Sequence, residues 1–208
     1  LDAADVVTAV GYAQEARLPV SVRGGGHSVA GHCVGEGSVM IDLRPMKRIE
    51  VDPERLVCRA GAGLTWDEID SATQEHGLAA PLGVVSKTGI AGLTLSGGIG
   101  WLRRKHGLAA DNLVSLEVVT ADGEVRTASE AENPELFWAL RGAGGSFGVV
   151  TRFEYRLHPV GPEVFVAFVL YAGARAAEVL RAADAYVAGA PDEVAPLAFM
   201  GRVPHAEP

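Results

Sequence analysis

The first residues carry apolar side chains at the spacing of an amphipathic helix. Asp2 is a suitable N-cap, and Pro19 stops the pattern after about Arg17. The predicted apolar face consists of Ala3, Val6, Val7, Val10 and Ala13.

Short apolar segments separated by turn residues follow this helix, and each predicts a β-strand. The clearest pair surrounds Asp122-Gly123, a dipeptide typical of two-residue hairpin turns. A capping-box pattern from Thr65 to Glu68 predicts a helix to about His76, and Asn133-Pro134 begins a shorter one. The strands are predicted at 19–22, 38–43, 48–51, 56–60, 113–120, 124–128 and 149–157.

Composition shifts after Pro159-Val160-Gly161-Pro162, so we place a domain boundary near Gly161. The remaining residues predict a strand at 165–170, an Ala-rich helix at 174–187 and a strand at 194–200. The prediction is an α+β chain with a first domain over 1–160. A second, partial domain over 161–208 would be the start of an antiparallel sheet.

Composition excludes several classes of protein. A hydrophobic content of 48% with 21% charged residues is ordinary for a soluble globular chain, and a formal charge of −8 argues against a nucleic-acid partner. Two cysteines without CxxC spacing suggest neither a disulfide framework nor a metal site and favour a cytoplasmic setting. No apolar run reaches membrane-spanning length, so no membrane contact is expected.

Three glycine-rich tracts carry the candidate chemistry: 22–28, 83–100 and 142–148. In the first, successive amides of Gly24 to Gly26 can form an anion-binding concavity, with Arg23 as a permanent cation and Ser28 as a hydroxyl. Each tract alone is equally compatible with a mobile turn or with close backbone packing. Together they favour a nucleotide, although neither the Rossmann G-x-G-x-x-G spacing nor a Walker loop is present.

Four motifs in order then identify a known family. They are Arg23-Gly24-Gly25-Gly26-His27-Ser28, the tract 83–100, the segment 105–112 and the segment 145–151. Together they resemble the FAD-binding half of berberine-bridge-enzyme-like flavoprotein oxidases, of the vanillyl-alcohol-oxidase/PCMH superfamily. The resemblance covers roughly residues 1–160 and implies a PCMH-type FAD-binding domain of two α/β subdomains. The C-terminal part of the family pattern is expected to be missing from this chain.

The resemblance implies a role for each matching residue. His27 falls on the family's flavinylated histidine and would bond to the 8α-methyl carbon of FAD. The pyrophosphate would be held by the first tract, the flavin and ribityl chain by the second with Asp111-Asn112 nearby, and the adenine side by the third. The implied cofactor-binding residues are Arg23, Gly24, Gly25, Gly26, Ser28, Thr88, Gly89, Gly92, Gly97, Gly98, Asn112, Gly148, Val149 and Val150.

Two positions depart from the family pattern. Val85 stands where doubly tethered members carry a cysteine, so a second covalent bond to the flavin is not expected. Ser96 replaces the first glycine of a Gly-Gly-Gly run, which is tolerated only if its φ is negative. No counterpart of the family's catalytic base is identifiable, so no catalytic residue is assigned.

The resemblance implies an FAD-dependent oxidase. Such an enzyme removes a hydride from an alcohol- or amine-bearing carbon of a small organic substrate to flavin N5, with dioxygen as the implied acceptor. Two alternatives stay open: a flavin-holding ligand-binding or resistance protein without turnover, and a dehydrogenase in which His27 only contacts the flavin.

Overall fold

The structure is a computed structural model that describes residues 1–81 and 83–201. It divides into two compact units, Leu1–Pro162 and Glu163–Pro208. The assignment of the first as an FAD-binding domain and of the second as a partial substrate domain stays a prediction. Among the described residues, no helix combines the length and the hydrophobicity needed to cross a membrane.

The first unit contains both helices and strands, and one 14-residue helix lies in the second. The helices are α1 (Ala3–Ala16), α2 (Trp66–Gln74), α3 (Ile90–Leu95), α4 (Arg103–His106), α5 (Pro134–Leu140) and α6 (Ala176–Gly189). The strands are β1 (Val20–Arg23), β2 (Val39–Asp42), β3 (Ile49–Asp52), β4 (Val57–Gly61), β5 (Leu78–Ala79), β6 (Leu113–Val119), β7 (Val125–Ser129), β8 (Val149–Arg156) and β9 (His158–Pro159). Short 3-10 turns cover Ala110–Asn112 and Gly173–Arg175.

The predicted first helix is confirmed as α1. The Asp2 carboxylate accepts a hydrogen bond from the Ala4 amide at 2.9 Å, and Asp5 completes a capping box. Arg17 adopts a left-handed conformation (φ 55°) that ends the helix, and Val6, Val10 and Ala13 are buried. The polar cap and the apolar stripe therefore act as the sequence predicts.

A five-stranded antiparallel sheet, in the order β3-β4-β8-β6-β7, forms the centre of the first unit. The predicted hairpin around Asp122-Gly123 is confirmed as β6 and β7. One face of the sheet is apolar, with Phe153 and Tyr155 fully buried against the core. The opposite face carries cross-strand ion pairs, including Arg59 with Glu154 at 3.1 Å. Alternation along each strand thus separates a core face from a charged face.

A separate parallel pair, β1 and β2, presents the first glycine tract. Val22 lies opposite Ile41, and the Leu43 amide donates to the Arg23 carbonyl at 2.9 Å. The glycines follow directly after Arg23, the last residue of β1. The tract therefore leaves a strand end, as predicted.

The second unit departs from the sequence prediction. The helix expected at 174–187 is confirmed as α6, but the strands predicted at 165–170 and 194–200 are wrong, since neither segment forms a strand. A strand is stabilised when a neighbouring strand takes up its amide and carbonyl groups, and neither segment belongs to a sheet in the part of the chain that the structure describes. Apolar content alone, as in Phe165 and Phe168, does not replace that partner.

Candidate cofactor site

The first and second glycine tracts cross each other with their backbones in contact. A Cβ built on Gly25 would overlap the backbone of Gly89, whose Cα would lie 2.6 Å away, and a Cβ built on Gly89 would overlap Gly25 in turn. No side chain larger than hydrogen fits at either position without moving a main chain. Two segments that the family resemblance assigns to one cofactor are therefore adjacent.

The start of α2 fixes the second tract at this crossing. The Trp66 amide donates to the Thr88 carbonyl at 3.1 Å, and the Ile90 amide donates to the Leu64 carbonyl at 3.0 Å. Lys87 forms an ion pair with Asp67 on the exposed side. The predicted residues Thr88 and Gly89 are thus held rigidly, with Gly89 buried.

Arg23 is the candidate cation of the site, and its guanidinium lies over the first tract. A Cβ on Gly26, which has a φ of +74°, would be 3.5 Å from the Arg23 Nε atom. That Nε atom is buried and has no hydrogen-bond partner among the described residues. A buried donor without an acceptor costs about 1–3 kcal/mol, so an anionic ligand beside Gly26 would satisfy a group that the chain leaves unsatisfied.

His27 and Ser28 follow at the exposed start of the loop. The Ser28 hydroxyl accepts a hydrogen bond from the His32 amide at 3.2 Å, and its carbonyl accepts one from Gly31 at 3.1 Å. Ser28 therefore shapes its own loop in addition to its predicted ligand role. The loop presents the His27 imidazole to solvent, where a reactive partner can reach it.

Helix α3 connects the crossing to the rest of the second tract. The Thr94 hydroxyl lies 2.8 Å from the Tyr155 hydroxyl, and this buried pair attaches the helix to the sheet. Gly92 lies on the exposed side of α3, where a Cβ would meet nothing within 4 Å. After the helix, Gly97 and Gly98 have φ values of +99° and +81° and require glycine.

Ser96 and Val85 are the two departures from the family pattern. Ser96 has a φ of −105°, so a side chain is accommodated there without backbone strain. Val85 is 55% exposed, in the segment that precedes the crossing. Serine at position 96 therefore leaves the backbone of the tract undisturbed.

The third tract joins the far end of α3. The Gly144 amide donates to the Leu95 carbonyl at 2.8 Å, so all three glycine tracts meet along one short helix. Gly148 has a φ of +145°, and a Cβ there would lie 2.5 Å from the Val119 carbonyl oxygen. Its conformation and its surroundings both require glycine.

Val149 and Val150 continue from Gly148 into β8. They pair with Val119 and Val118 of β6, whereas the β4 ladder ends at the pair of Gly61 and Arg152. At these two valines, the edge of β8 that faces away from β6 therefore extends beyond the last residue pair with β4. The contact of their main-chain groups with the adenine side of the cofactor stays a prediction.

Asn112 is buried behind the second tract and is held by three hydrogen bonds. Its amide nitrogen donates to the His106 carbonyl at 2.7 Å and the Leu108 carbonyl at 2.9 Å, and its oxygen lies 2.7 Å from His158 Nε2. Burial, with smaller effects from His106 and Arg156, lowers the pKa of His158. Asn112 therefore supports the loop behind the predicted flavin contacts. The sequence did not single out Thr94, Tyr155 or His158 for this support.

Two surface cavities lie outside the crossing. The larger, about 580 Å³, lies on the charged face of the sheet beside Arg59 and Glu154. The other, about 510 Å³, adjoins the third tract and is lined by Trp138, Arg141 and Phe147 among others. Of the predicted site residues, none lines either cavity. The proximity of the backbone segments, rather than either of these two cavities, therefore defines the candidate site.

Comparison with known proteins places this arrangement in a family. The FAD binding domain family matches residues 2–129. The (R)-6-hydroxynicotine oxidase of Paenarthrobacter nicotinovorans is 41% identical over 172 residues, which are 83% of this chain and 38% of that protein.

Solved structures agree with this match. Crystalline 6-hydroxy-D-nicotine oxidase from Arthrobacter nicotinovorans superposes with a TM-score of 0.75 at 43% identity, covering 76% of this chain and 35% of that one. Glucooligosaccharide oxidase from Acremonium strictum, described with a 6-S-cysteinyl, 8α-N1-histidyl FAD, superposes with a TM-score of 0.72 at 34% identity, covering 75% and 33%.

The chain spans between a third and two fifths of the length of the relatives cited. Within that span the mixed helix and strand architecture agrees with that of the solved relatives. The expected PCMH-type fold and the expected cofactor are thereby confirmed. The chain belongs to the FAD binding domain family, among the berberine-bridge-enzyme-like, vanillyl-alcohol-oxidase-type FAD-linked oxidoreductases.

Proposed function

We propose that this chain is the cofactor-holding part of an FAD-dependent oxidase acting on an alcohol- or amine-bearing carbon of a small organic substrate. The observation that carries the proposal is the buried, unsatisfied Nε atom of Arg23 beside Gly26, the residue that follows the crossing of Gly25 and Gly89. A cation beside exposed backbone amides is the arrangement that a diphosphate requires. The relatives named above are oxidases, which supports the reaction class.

Different residues would bind different parts of FAD. Arg23 would offset the diphosphate charge, with the amides of Gly24, Gly25 and Gly26 as donors and Ser28 at the edge. Thr88, Gly89, Gly92, Gly97 and Gly98 would lie along the flavin and ribityl chain, supported by Asn112. Gly148, Val149 and Val150 would bind the adenine side through main-chain groups.

Bound FAD supplies the redox chemistry, because its flavin ring accepts a hydride from the substrate carbon. The chain's own part is to place that ring and to neutralise the diphosphate. The chain has a net charge of −8, so local groups must overcome an unfavourable overall field for an anionic cofactor. Arg23 is the described cation best placed to do so, because its Nε atom already lies beside Gly26.

We further propose that FAD is attached through His27 alone. The imidazole follows Gly26 directly and is exposed to an incoming flavin. The glucooligosaccharide oxidase carries a histidyl and a cysteinyl link, whereas this chain has Val85 in the corresponding tract. Cys58 is buried in the core, and Cys33 lies in another segment. A single tether is therefore the arrangement that the side chains favour.

The test uses the protein expressed with sufficient riboflavin. After denaturation and precipitation, we expect the wild-type protein to stay yellow and its intact mass to include one FAD. His27→Ala should lose both signals. His32→Ala is the matched control, because His32 is an exposed imidazole on the same loop and should retain the covalent FAD. A colourless wild-type precipitate would overturn the tether.

Turnover is tested separately on the FAD-loaded protein. Formation of hydrogen peroxide with a panel of alcohols, amines and oligosaccharides would support the oxidase assignment. Reduction of the flavin by a substrate without peroxide would identify a dehydrogenase. Retention of FAD without flavin reduction by any member of the panel would instead support the flavin-holding alternative.

A further inference from the structure

We infer that His158 is a positioning residue for the flavin-facing backbone, because it orients Asn112 and thereby fixes the loop that pairs with Gly97 and Gly98. The inference rests on the proposed function, since it takes those two glycines as flavin contacts. It concerns a histidine outside every motif of the family resemblance.

The hydrogen bonds of Asn112 determine the proton position on His158. The Asn112 amide nitrogen donates to the carbonyls of His106 and Leu108, at 2.7 and 2.9 Å, so this nitrogen faces the loop. Its oxygen therefore faces His158, with Nε2 at 2.7 Å. An amide oxygen only accepts, so Nε2 must carry the hydrogen. His158 thus acts as a donor with a fixed tautomer.

His158 is itself held firmly. Its backbone pairs with Ala79 where β9 meets β5, and its ring stacks on His106 with 3.8 Å between centroids and 16° between planes. Burial lowers the pKa of His158, which favours the neutral ring at pH 7. The donor is therefore presented to Asn112 from a rigid support.

The loop that Asn112 holds connects directly to the second glycine tract. The Ala109 amide donates to the Gly98 carbonyl at 3.0 Å, and the Ala110 amide donates to the Gly97 carbonyl at 2.9 Å. Asp111 closes the loop by accepting from the Leu108 amide at 2.8 Å. A Cβ at Gly98 would lie 2.6 Å from both the Ala109 Cβ and a Leu93 methyl group, so this contact has no spare room.

A displaced loop would therefore displace the glycines. Without the donor from His158, the Asn112 oxygen would be buried and unsatisfied, which favours rotation of the amide and loss of its bonds to the loop carbonyls. The continuous series of contacts runs from β9 through Asn112 to Gly97 and Gly98. His158 would therefore influence the orientation of the flavin without contacting it.

The experiment compares His158→Phe with His158→Gln. Phenylalanine keeps a flat ring that can stack on His106 but removes the donor, whereas glutamine restores a side-chain N–H at similar reach. His76→Phe is the matched control, because His76 is an exposed histidine at the end of α2. Circular dichroism in the visible region reports the orientation of the bound flavin in each FAD-loaded protein. Hydrogen exchange at the Ala109 and Ala110 amides reports the loop in FAD-free protein.

We expect His158→Phe to increase exchange at Ala109 and Ala110 by about tenfold, the effect of losing one hydrogen bond, and to change the flavin dichroism. His158→Gln and His76→Phe should resemble wild type in both measurements. Unchanged exchange in His158→Phe would overturn the inference, as would a glutamine variant as altered as the phenylalanine variant. Faster exchange with unchanged dichroism would also overturn it. Failure of the proposed function is a separate result, namely absence of FAD from the wild-type protein.

Discussion

Two groups of glycines in the three tracts differ in what surrounds them. At Gly25, Gly89, Gly98 and Gly148, an added Cβ would collide with neighbouring atoms at 2.6 Å or less. At Gly92 and Gly145, whose φ values lie outside the left-handed region, an added Cβ would meet nothing within 4 Å. Glycine is required by the protein itself at the first group, whereas packing within the chain gives no reason for it at the second.

This contrast distinguishes glycines that the fold requires from glycines that ligand binding would require. Closed glycines bring the tracts together and would be needed in a protein that bound nothing. An open glycine with ordinary backbone angles has no such reason, and Gly92 within α3 is the clearest case, because glycine lowers helix stability relative to alanine. We therefore take Gly92 as the position where a ligand, rather than the chain, excludes a side chain.

The largest effect is expected from Gly89→Ala. The new methyl group would overlap the Gly25 backbone, and the main chain at Gly89 cannot move away without breaking the hydrogen bonds at Thr88 and Ile90. We expect a loss of about 3 kcal/mol or more in the free energy of unfolding, measured by urea denaturation of FAD-free protein. Wild-type stability in this variant would show that the crossing is looser than described.

Gly148→Ala should have the next largest effect. It adds a side chain at a φ of +145° and next to the Val119 carbonyl. A loss of about 2 kcal/mol is expected, again by urea denaturation. Ala143→Gly is a suitable control in the same loop, and a comparable loss in that variant would mean that the loop, rather than the closed position, determines the result.

Gly92→Ala should change the sign of the stability effect and thus gives the sharpest test. We expect FAD-free protein to gain about 0.5–1 kcal/mol, because alanine is the better helix former and the site is open. FAD uptake should nevertheless fall by tenfold or more, measured as the fraction of protein loaded at limiting FAD.

Gly11→Ala provides the matched control for this variant. Gly11 lies within α1 and its Cβ position is also open. It should give the same gain in stability with unchanged FAD uptake. Undiminished uptake in Gly92→Ala would remove that glycine from the predicted site.

The smallest effect is expected from Ser96→Gly, which restores the family's glycine run. Because Ser96 already has a φ of −105°, the change should cost less than about 1 kcal/mol through greater freedom of the unfolded chain and leave FAD uptake unchanged. Thermal unfolding measures the change in stability, and the absorbance of the loaded protein measures FAD uptake. A clear rise in FAD uptake would show that serine hinders the cofactor.

Local sequence signals were sufficient to predict many of the helices and strands of the first unit. Asp2 and Pro19 bounded α1, and Asp122-Gly123 marked the hairpin, because caps and tight turns depend on residues a few positions apart. The meeting of Gly25 with Gly89 and of Gly144 with Leu95 was expected only in outline. Each contact depends on how distant elements pack, which no local spacing encodes.

The features that the sequence predicted wrongly or did not indicate all depend on contacts between distant parts of the chain. The segments 165–170 and 194–200 have the composition of strands but join no sheet within the described residues. The unsatisfied Nε atom of Arg23 and the hydrogen bond from His158 to Asn112 depend on burial and on contacts between distant segments. Arg23 was recognisable by its motif, whereas nothing in the sequence near His158 indicated its partner.

The order of strands in the central sheet also determines when the cofactor can bind during synthesis. Strands β4 and β8 are neighbours, and the pair of Arg59 and Glu154 joins residues 95 positions apart. Pairings between residues so far apart form late, because closing a long loop costs entropy before the pairing contacts can offset that cost. Until β8 has been made and has joined the sheet, Tyr155 cannot secure α3 and the three glycine tracts have no common support. We therefore expect loading of FAD, and any bond to His27, to follow folding of the chain to the end of β8.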